Sequence, residues 1–353
     1  MKVININCGL GNQMLAYCVV LSIRRENPSD TCYVETIIYD IPECNEVISQ
    51  WYGYELNKIF KTDTPNVKEL FSESQWADVI KEVRASRFWE NKWNYAPAIS
   101  QALNHAGLRL VNKKGDYLDP NSISYKQTFS PIRQLKIKFL FKTWLGNHLR
   151  FWFNTRNENK RKNLKAYPER LFLKTDEDIY TGMWLEFMFN GNHIEKIHDD
   201  IMRTFVFPPF DTEKNISFAE YLDSTNSVFI HARRGDATSV NSYCYKYGYF
   251  KRAVSYIKKH VENPVFVFFT NTDSIEWCKQ NYKIFGLDFS KDKVLFVDWN
   301  TGEDSFRDMQ LMTHCKHGII ANSSFGWWGA YLIKNPNKIT ISPEIEINTT
   351  HHC

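Results

Sequence analysis

Residues 228–236 read VFIHARRGD, a short aromatic and β-branched run that ends in two adjacent arginines. An apolar run of this length reads as a buried strand, here 228–231. Guanidinium groups just past such a strand are expensive to hold without a partner, because charge near a core must be paired. The rest of this half of the chain sets the strand in context. Short apolar runs at 265–270, 294–297, 318–321 and 338–341 alternate with amphipathic helical patterns at 249–259, 274–282, 305–314 and 325–333. Such alternation predicts a parallel, doubly wound sheet whose ligands sit beyond the carboxyl ends of its strands.

The amino-terminal part begins in the same style. A strand at 3–7 runs into Cys8-Gly9-Leu10-Gly11-Asn12-Gln13, then a helical pattern over 14–24 and a second strand over 31–38. A dinucleotide fingerprint requires Gly-x-Gly-x-x-Gly at this place, with an acidic residue about 20 positions on. Glu35 answers the second requirement, but Met14 occupies the third glycine position, where a side chain would hold the helix off the sheet. The loop Gly9, Gly11, Asn12 and Gln13 is therefore read as a polar βα turn that does not hold a nucleotide. From 60 to 200 the pattern becomes helical, aromatic and irregular. Phe207-Pro208-Pro209 marks the expected boundary between domains 1–209 and 210–353.

The 353 residues, 43% of them apolar and 15% aromatic, suffice for two cores, and a net charge of +4 gives no general case for nucleic acid. Charge is instead local. Residues 126–165 hold eleven Lys/Arg against Glu158 alone, interleaved with aromatic residues such as Phe139, Trp144 and Trp152. That stretch reads either as a contact with an anionic membrane or as an insertion with solvated basic residues. Eight cysteines without a Cys-x-x-Cys pair, no leader-like start and no apolar run near ~20 residues are the grounds for expecting free thiols and a cytoplasmic protein. The sequons at Asn215, Asn322 and Asn348 are then expected to be chance matches.

Two further clusters carry chemistry. At 319–329, IIANSSFGWWG runs from a strand through Asn322, Ser323 and Ser324 into a helix, gathering hydroxyls and free N–H groups at a positive dipole end. Asp308 stands near the start of the preceding helix, where a carboxylate complements the macrodipole or accepts two N–H bonds from a guanine edge. With His231, Arg233 and Arg234 these residues point to a nucleoside diphosphate held by the carboxyl-terminal half, since a guanidinium fork suits phosphate oxygens. The one literal Asp-x-Asp, Asp176-Glu177-Asp178, is expected to lie outside both α/β layers, so no metal site is expected.

On these residues the chain resembles the α-1,2-fucosyltransferase family, glycosyltransferase family 11. Gly9-Leu10-Gly11-Asn12-Gln13-Met14, the His-x-Arg-Arg-Gly-Asp of 231–236 and the run from Cys315 to Ala330 carry the resemblance, with a more distant match at 182–186. It covers about 1–60 and 170–345 and leaves the insertion at 110–165 unmatched. The resemblance implies an α/β fold of GT-B type, two Rossmann-like domains facing across a cleft. It implies a GDP-β-L-fucose donor, no metal or other cofactor, and inversion to an α-linkage on the 2-hydroxyl of a galactose-terminated oligosaccharide or lipid-linked glycan. Carried over, Arg233 would bind the β-phosphate and act as the catalytic residue. His231 and Asp308 would address the guanosine, Ser323 and Ser324 the phosphates, with Asn322 beside them and Arg234 and Asp236 divided between ligand and scaffold. The loop 9–13 would lie across the cleft from the fucose. Thr270-Asn271-Thr272-Asp273 departs from the family pattern. Glu35, Asp40 and Asp236 all stand as candidates for the base.

Overall fold

Alternation of apolar side chains on both faces is what buries the second half of the chain around a sheet. On β5 (Ser227–His231), Val228 and Ile230 face one core while Phe229 faces the other, and β6 (Val265–Phe269) repeats the split with Phe266 and Phe268 against Val265, Val267 and Phe269. A strand covered on both faces must be apolar throughout, as parallel sheets require. With β7 (Lys293–Val297), β8 (His317–Ile320) and β9 (Thr340–Ile341) these strands form an all-parallel sheet in the order β7-β6-β5-β8-β9. The order reverses between β5 and β8, and that switch point is where such sheets open a crevice for ligands.

The coordinates are a computed structural model that describes residues 1–91, 93–112, 176–181, 194–235, 241, 244–246 and 248–343, with a few isolated positions between 135 and 149. The chain divides into two units. The first comprises Met1–Asn7, Leu15–Ser49 and Asp63–Ile201, and the second Cys8–Met14, Gln50–Thr62 and Met202–Cys353. The turn after the first strand and the segment 50–62 thus belong with the carboxyl-terminal sheet, and the main crossing falls at 201/202.

The first unit is also α/β. Strands β1 (Lys2–Asn5), β2 (Cys32–Glu35), β3 (Val111–Asn112) and β4 (Ile179–Thr181) lie parallel in the order β2-β1-β4-β3. Helices Glu73–Ala85 and Tyr95–His105 contribute Val79, Val83, Ile99 and Leu103 to its core. Strand β4 went unread in the sequence, because three residues after a polar stretch give no periodic signal. It also corrects the expectation for Asp176–Asp178, which leads directly into β4 and so stands at the amino end of a sheet strand. There Asp178 pairs with the Met1 ammonium, and the Glu177 carbonyl accepts from Lys2 Nζ at 2.6 Å.

The expected stretch of basic and aromatic residues at 126–165 lies almost wholly outside the described residues, as do Asp236 and 182–186. Among the described residues no helix is long and apolar enough to cross a membrane, and seven cysteines are buried free thiols.

Phe207-Pro208-Pro209 is fastened by a buried arginine. The Arg307 guanidinium donates to the carbonyls of Pro208 and Pro209 at 3.0 Å each and to Gln310 Oε1 at 2.8 Å, and pairs with Asp211 at 3.2 Å. Gln310 Nε2 donates to Pro208 as well, at 2.8 Å. Proline removes two N–H groups from this segment, so its carbonyls are held from outside rather than by a ladder. Arg307→Ala is expected to lower stability by ~2 kcal/mol through unpaired acceptors, read as a lower urea midpoint with an unchanged slope. An unaltered midpoint would show the clamp to be dispensable.

Candidate functional site

At the β5/β8 switch point, the residues that leave each strand determine the chemistry. His231 ends β5 and turns to the face covered by the helix Ser324–Tyr331, where its ring lies 5.8 Å from that of Phe325. A Cβ on Gly326 would stand 2.3 Å from His231 Nδ1, so the helix approaches the histidine only because position 326 has no side chain. Nδ1 is buried and has no hydrogen-bond partner among the described residues. Burial, then the nearby charge of Arg233, pushes the His231 pKa down to about 3, and the ring stays neutral at physiological pH.

The two arginines part company. Arg234 turns to the face that carries Tyr245 and Trp277, and its guanidinium lies 3.4 Å from the Trp277 ring centroid and 5.3 Å from that of Tyr245. Its Nε is buried with no hydrogen-bond partner among the described residues, so aromatic faces supply much of its compensation. Arg233 lies 4.7 Å from the Trp51 ring, donates to Asn271 Oδ1 at 3.4 Å, and offers its own carbonyl to the Tyr245 hydroxyl at 3.0 Å. Asn271 also lies against Gly235, a Cβ on which would meet Asn271 Nδ2 at 3.1 Å. The Thr-Asn-Thr-Asp departure thus places its asparagine beside the arginine expected to carry the reaction.

Beyond β8, Asn322 is held through its backbone: its N–H donates to Asn241 Oδ1 at 2.9 Å, and its carbonyl accepts from Asn241 Nδ2 at 3.3 Å. Ser323 occupies the N-cap position in extended backbone, but its side chain makes no capping bond. The free N–H groups of the first turn and this hydroxyl remain directed to the end of the helix, a geometry that suits anionic oxygens. Ser324 Oγ donates to Asn12 Oδ1. Trp328 is fully buried and donates from Nε1 to the Gly11 carbonyl at 2.9 Å, while Trp327 stacks on Tyr331 at 4.9 Å.

These contacts revise the reading of the glycine loop. Gly11 is already helical, since the helix runs from Leu10 to Glu26 rather than from 14. The stretch Cys8–Met14 belongs to the second unit and touches the serine-capped helix directly. A Cβ on Gly11 would meet Phe325 N at 2.6 Å and Ser324 C at 2.8 Å, and a Cβ on Gly9 would meet Trp51 Cδ1 at 2.8 Å. Bare backbone is needed for two chain segments to touch here, which outweighs the low helix propensity of glycine. Gln13 completes the join by donating to the carbonyls of Cys8 at 2.9 Å and Gly53 at 2.7 Å while accepting from Glu55 N at 2.9 Å. Trp51 stands in the left-handed region at φ +52° with 41% of its surface exposed, a backbone state that costs energy and concentrates at working surfaces.

Asp308 sits in the first turn of the helix Phe306–His314, which connects β7 to β8 in the chain and packs on one face of the sheet beside the helices Glu213–Ser224 and Ser324–Tyr331. Burial pushes its pKa up to about 7, against the bond that its Oδ1 accepts from Asn300 Nδ2 at 2.9 Å. Of the candidate bases, Asp236 lies outside the described residues and Asp40 is exposed in the first unit. Glu35 is fully buried there, with both oxygens engaged by Asn5 at 2.6 Å, Tyr180 at 2.8 Å and the Ile37 N–H. A carboxylate so enclosed anchors the end of β2, with both oxygens already engaged inside its own unit. Among the described residues no three His, Cys, Asp or Glu side chains gather as a metal site. The sequence reading missed Trp51 and Asn241, partners of singled-out residues from elsewhere in the chain, and named Asn271 only as a departure from the family pattern.

Residues 193–349 match the model of Glycosyl transferase family 11. An alpha-1,2-colitosyltransferase from Escherichia coli is 36% identical over 172 residues, 46% of this chain and 54% of that protein. Galactoside alpha-(1,2)-fucosyltransferase 1 from Plecturocebus brunneus is 34% identical over 110 residues, 30% of this chain and 28% of its own. The chain thus spans about half or less of the length of these curated relatives. Among solved structures, fucosyltransferase NodZ from Bradyrhizobium aligns with 93% of this chain and 91% of its own at 12% identity, with a TM-score of 0.44.

Two outcomes test this geometry. Gly326→Ala is expected to cost about 1–3 kcal/mol of stability by forcing the helix off His231; a wild-type melting curve would show that the contact yields freely. A carboxyl whose pKa is raised on folding holds its proton more tightly in the folded chain, so its contribution is complete below the unfolded value near ~4 and is lost as pH rises towards 7. Asp308→Asn is accordingly expected to stabilise the ligand-free protein at pH 8, by on the order of 1–2 kcal/mol, and to do little at pH ~4. Urea melts at both pH values check the sign.

Proposed function

We propose that this chain, whose residues 193–349 match the model of Glycosyl transferase family 11, transfers L-fucose from GDP-β-L-fucose to the 2-hydroxyl of a β-galactoside, with inversion to an α-1,2 linkage. The observation that carries the reading is convergence at one switch point: Arg233 beyond β5, and the open helix end with Ser323 and Ser324 beyond β8. In this reading the pyrophosphate lies on the helix N–H groups and the Ser323 hydroxyl, with Arg233 on the β-phosphate. The bond from fucosyl C1 to the β-phosphate oxygen breaks with its electron pair passing to that oxygen. The acceptor's 2-oxygen forms the new bond to C1 from the opposite face, and its proton passes to Asp236, to a phosphate oxygen of the departing GDP or to water. Arg233 and the helix end stabilise the growing phosphate charge from fixed positions, which is where electrostatic catalysis is most effective. A neutral His231 and the Asp308 carboxylate address the guanosine. No cation is required by this arrangement, and full activity in excess EDTA is expected.

The relative that matches most of this chain among those described is a colitosyltransferase, so a colitosyl donor is the second reading of the sugar site. Its support is that the phosphate and base residues above do not distinguish the two sugars. Contact of 126–165 with an anionic membrane belongs to the same proposal, with liposome sedimentation in anionic and neutral lipid as its check.

Arg233→Ala is expected to lower kcat/KM by about 10²–10³, the usual cost of losing one preorganised donor. Transfer is measured with GDP-fucose and a panel of β-galactosides, the linkage being identified by NMR. Retention of more than about a tenth of wild-type kcat/KM would remove Arg233 from the mechanism.

A further inference from the structure

Asp308 is the last member of a hydrogen-bond chain drawn from three elements of the second unit. Trp299 Nε1, just past β7, donates to Asn215 Oδ1 at 2.7 Å; Asn215 Nδ2, on the helix Glu213–Ser224, donates to Asn300 Oδ1 at 2.9 Å; and Asn300 Nδ2 donates to Asp308 Oδ1 at 2.9 Å. Direction in this chain follows from chemistry. An indole N–H only donates. Asn215 must therefore present its oxygen to Trp299 and its amide N–H to Asn300, which in turn leaves Asn300 with its N–H groups towards Asp308. Each amide by itself is nearly symmetric end for end; the tryptophan removes that freedom from both.

The origin of the chain is itself immobilised. The Trp299 ring meets Phe218 edge-on at 5.2 Å, and Lys214 Nζ lies 4.0 Å over its centroid. Asn215 is 2% exposed, so water does not compete for its amide. At the far end only Oδ1 of Asp308 is bound, and Oδ2 accepts nothing among the described residues. Were Asn300 to turn over, its oxygen would face the carboxylate and repel it.

We propose that Trp299, Asn215 and Asn300 are positioning residues that pin one oxygen of Asp308 and present the other to the two N–H groups of a guanine edge. This rests on the GDP reading given above. It also gives the Asn215 sequon a structural use, since a glycan on that amide would break the chain at its middle.

The test is calorimetric binding of GDP, inosine diphosphate and inorganic pyrophosphate to the full chain. Inosine diphosphate differs from GDP only in lacking the 2-amino group, so the ratio of the two affinities reports the carboxylate's orientation, and pyrophosphate reports the phosphate site alone. Wild type is expected to favour GDP by about tenfold, one charge-assisted hydrogen bond. Trp299→Phe keeps an aromatic ring against Phe218 and removes the donor; Asn300→Leu removes the last link. Both are expected to bring the ratio to within about twofold of unity, with pyrophosphate affinity changed less than about twofold. Asp308→Asn is expected to abolish the preference outright.

If Trp299→Phe keeps the wild-type ratio, or weakens pyrophosphate as much as GDP, the relay is overturned. A collapse in Asp308→Asn with both relay variants unchanged also overturns the relay and leaves the guanine assignment standing. A wild-type ratio near unity, or an Asp308→Asn variant that keeps the preference, overturns both. Should Asn300→Leu fail to fold, Trp299→Phe decides alone.

Discussion

The second unit depends on two places where a backbone lies flat against its neighbour. Gly326 lets the helix after β8 rest on His231, and Gly11 lets the first turn of another helix rest on Ser324 and Phe325. Both contacts lie at the carboxyl end of the β5/β8 pair. A methyl group at either position would separate the elements whose ends supply the hydroxyls, amides and guanidinium of the candidate site. The glycines set the distance at which other residues meet.

Within that frame, identical residue types receive different work from their surroundings. Arg233 and Arg234 are neighbours in sequence, yet strand alternation sends one over Trp51 and beside Asn271, and the other flat onto Trp277. The first stands at the switch point beyond β5, and the second lies against the aromatic rings of Tyr245 and Trp277 on the other face. Asp308 and Glu35 diverge in the same way. Desolvation raises the pKa of both acids, but fully buried Glu35 has both oxygens filled by its own unit whereas half-buried Asp308 has one. A carboxylate with an unfilled acceptor position is what a ligand can use, and it is also what costs the unliganded protein stability.

The alternation of apolar strands and amphipathic helices after residue 227 was legible because the central strands β5, β6 and β8 are covered on both faces and each helix on one, which the sequence must encode locally. The same logic exposed His231, Arg233, Asn322, Ser323, Ser324 and Asp308, since polar residues at strand ends and first helical turns break an otherwise apolar rhythm. Strand β4 was not legible, three residues being too few for a period to show. Trp51 was not legible either: nothing in Gln50-Trp51-Tyr52-Gly53 announces a left-handed tryptophan over an arginine more than 180 positions away.

By itself, then, the sequence determined the sheet of the second unit, the strand ends at which chemistry would gather, and the failure of the glycine turn as a nucleotide fingerprint, because all three follow from periodicity and from the need for a missing Cβ. Only the tertiary structure decided that the same turn joins the serine-capped helix, that Arg233 and Arg234 meet Trp51 and Trp277 on the sides to which strand alternation sends them, and that two asparagines and a tryptophan lead by hydrogen bonds to one oxygen of Asp308. Those outcomes depend on hydrogen bonds and ring contacts between distant segments, whose partners are fixed by packing in three dimensions and leave no spacing to be read along the chain.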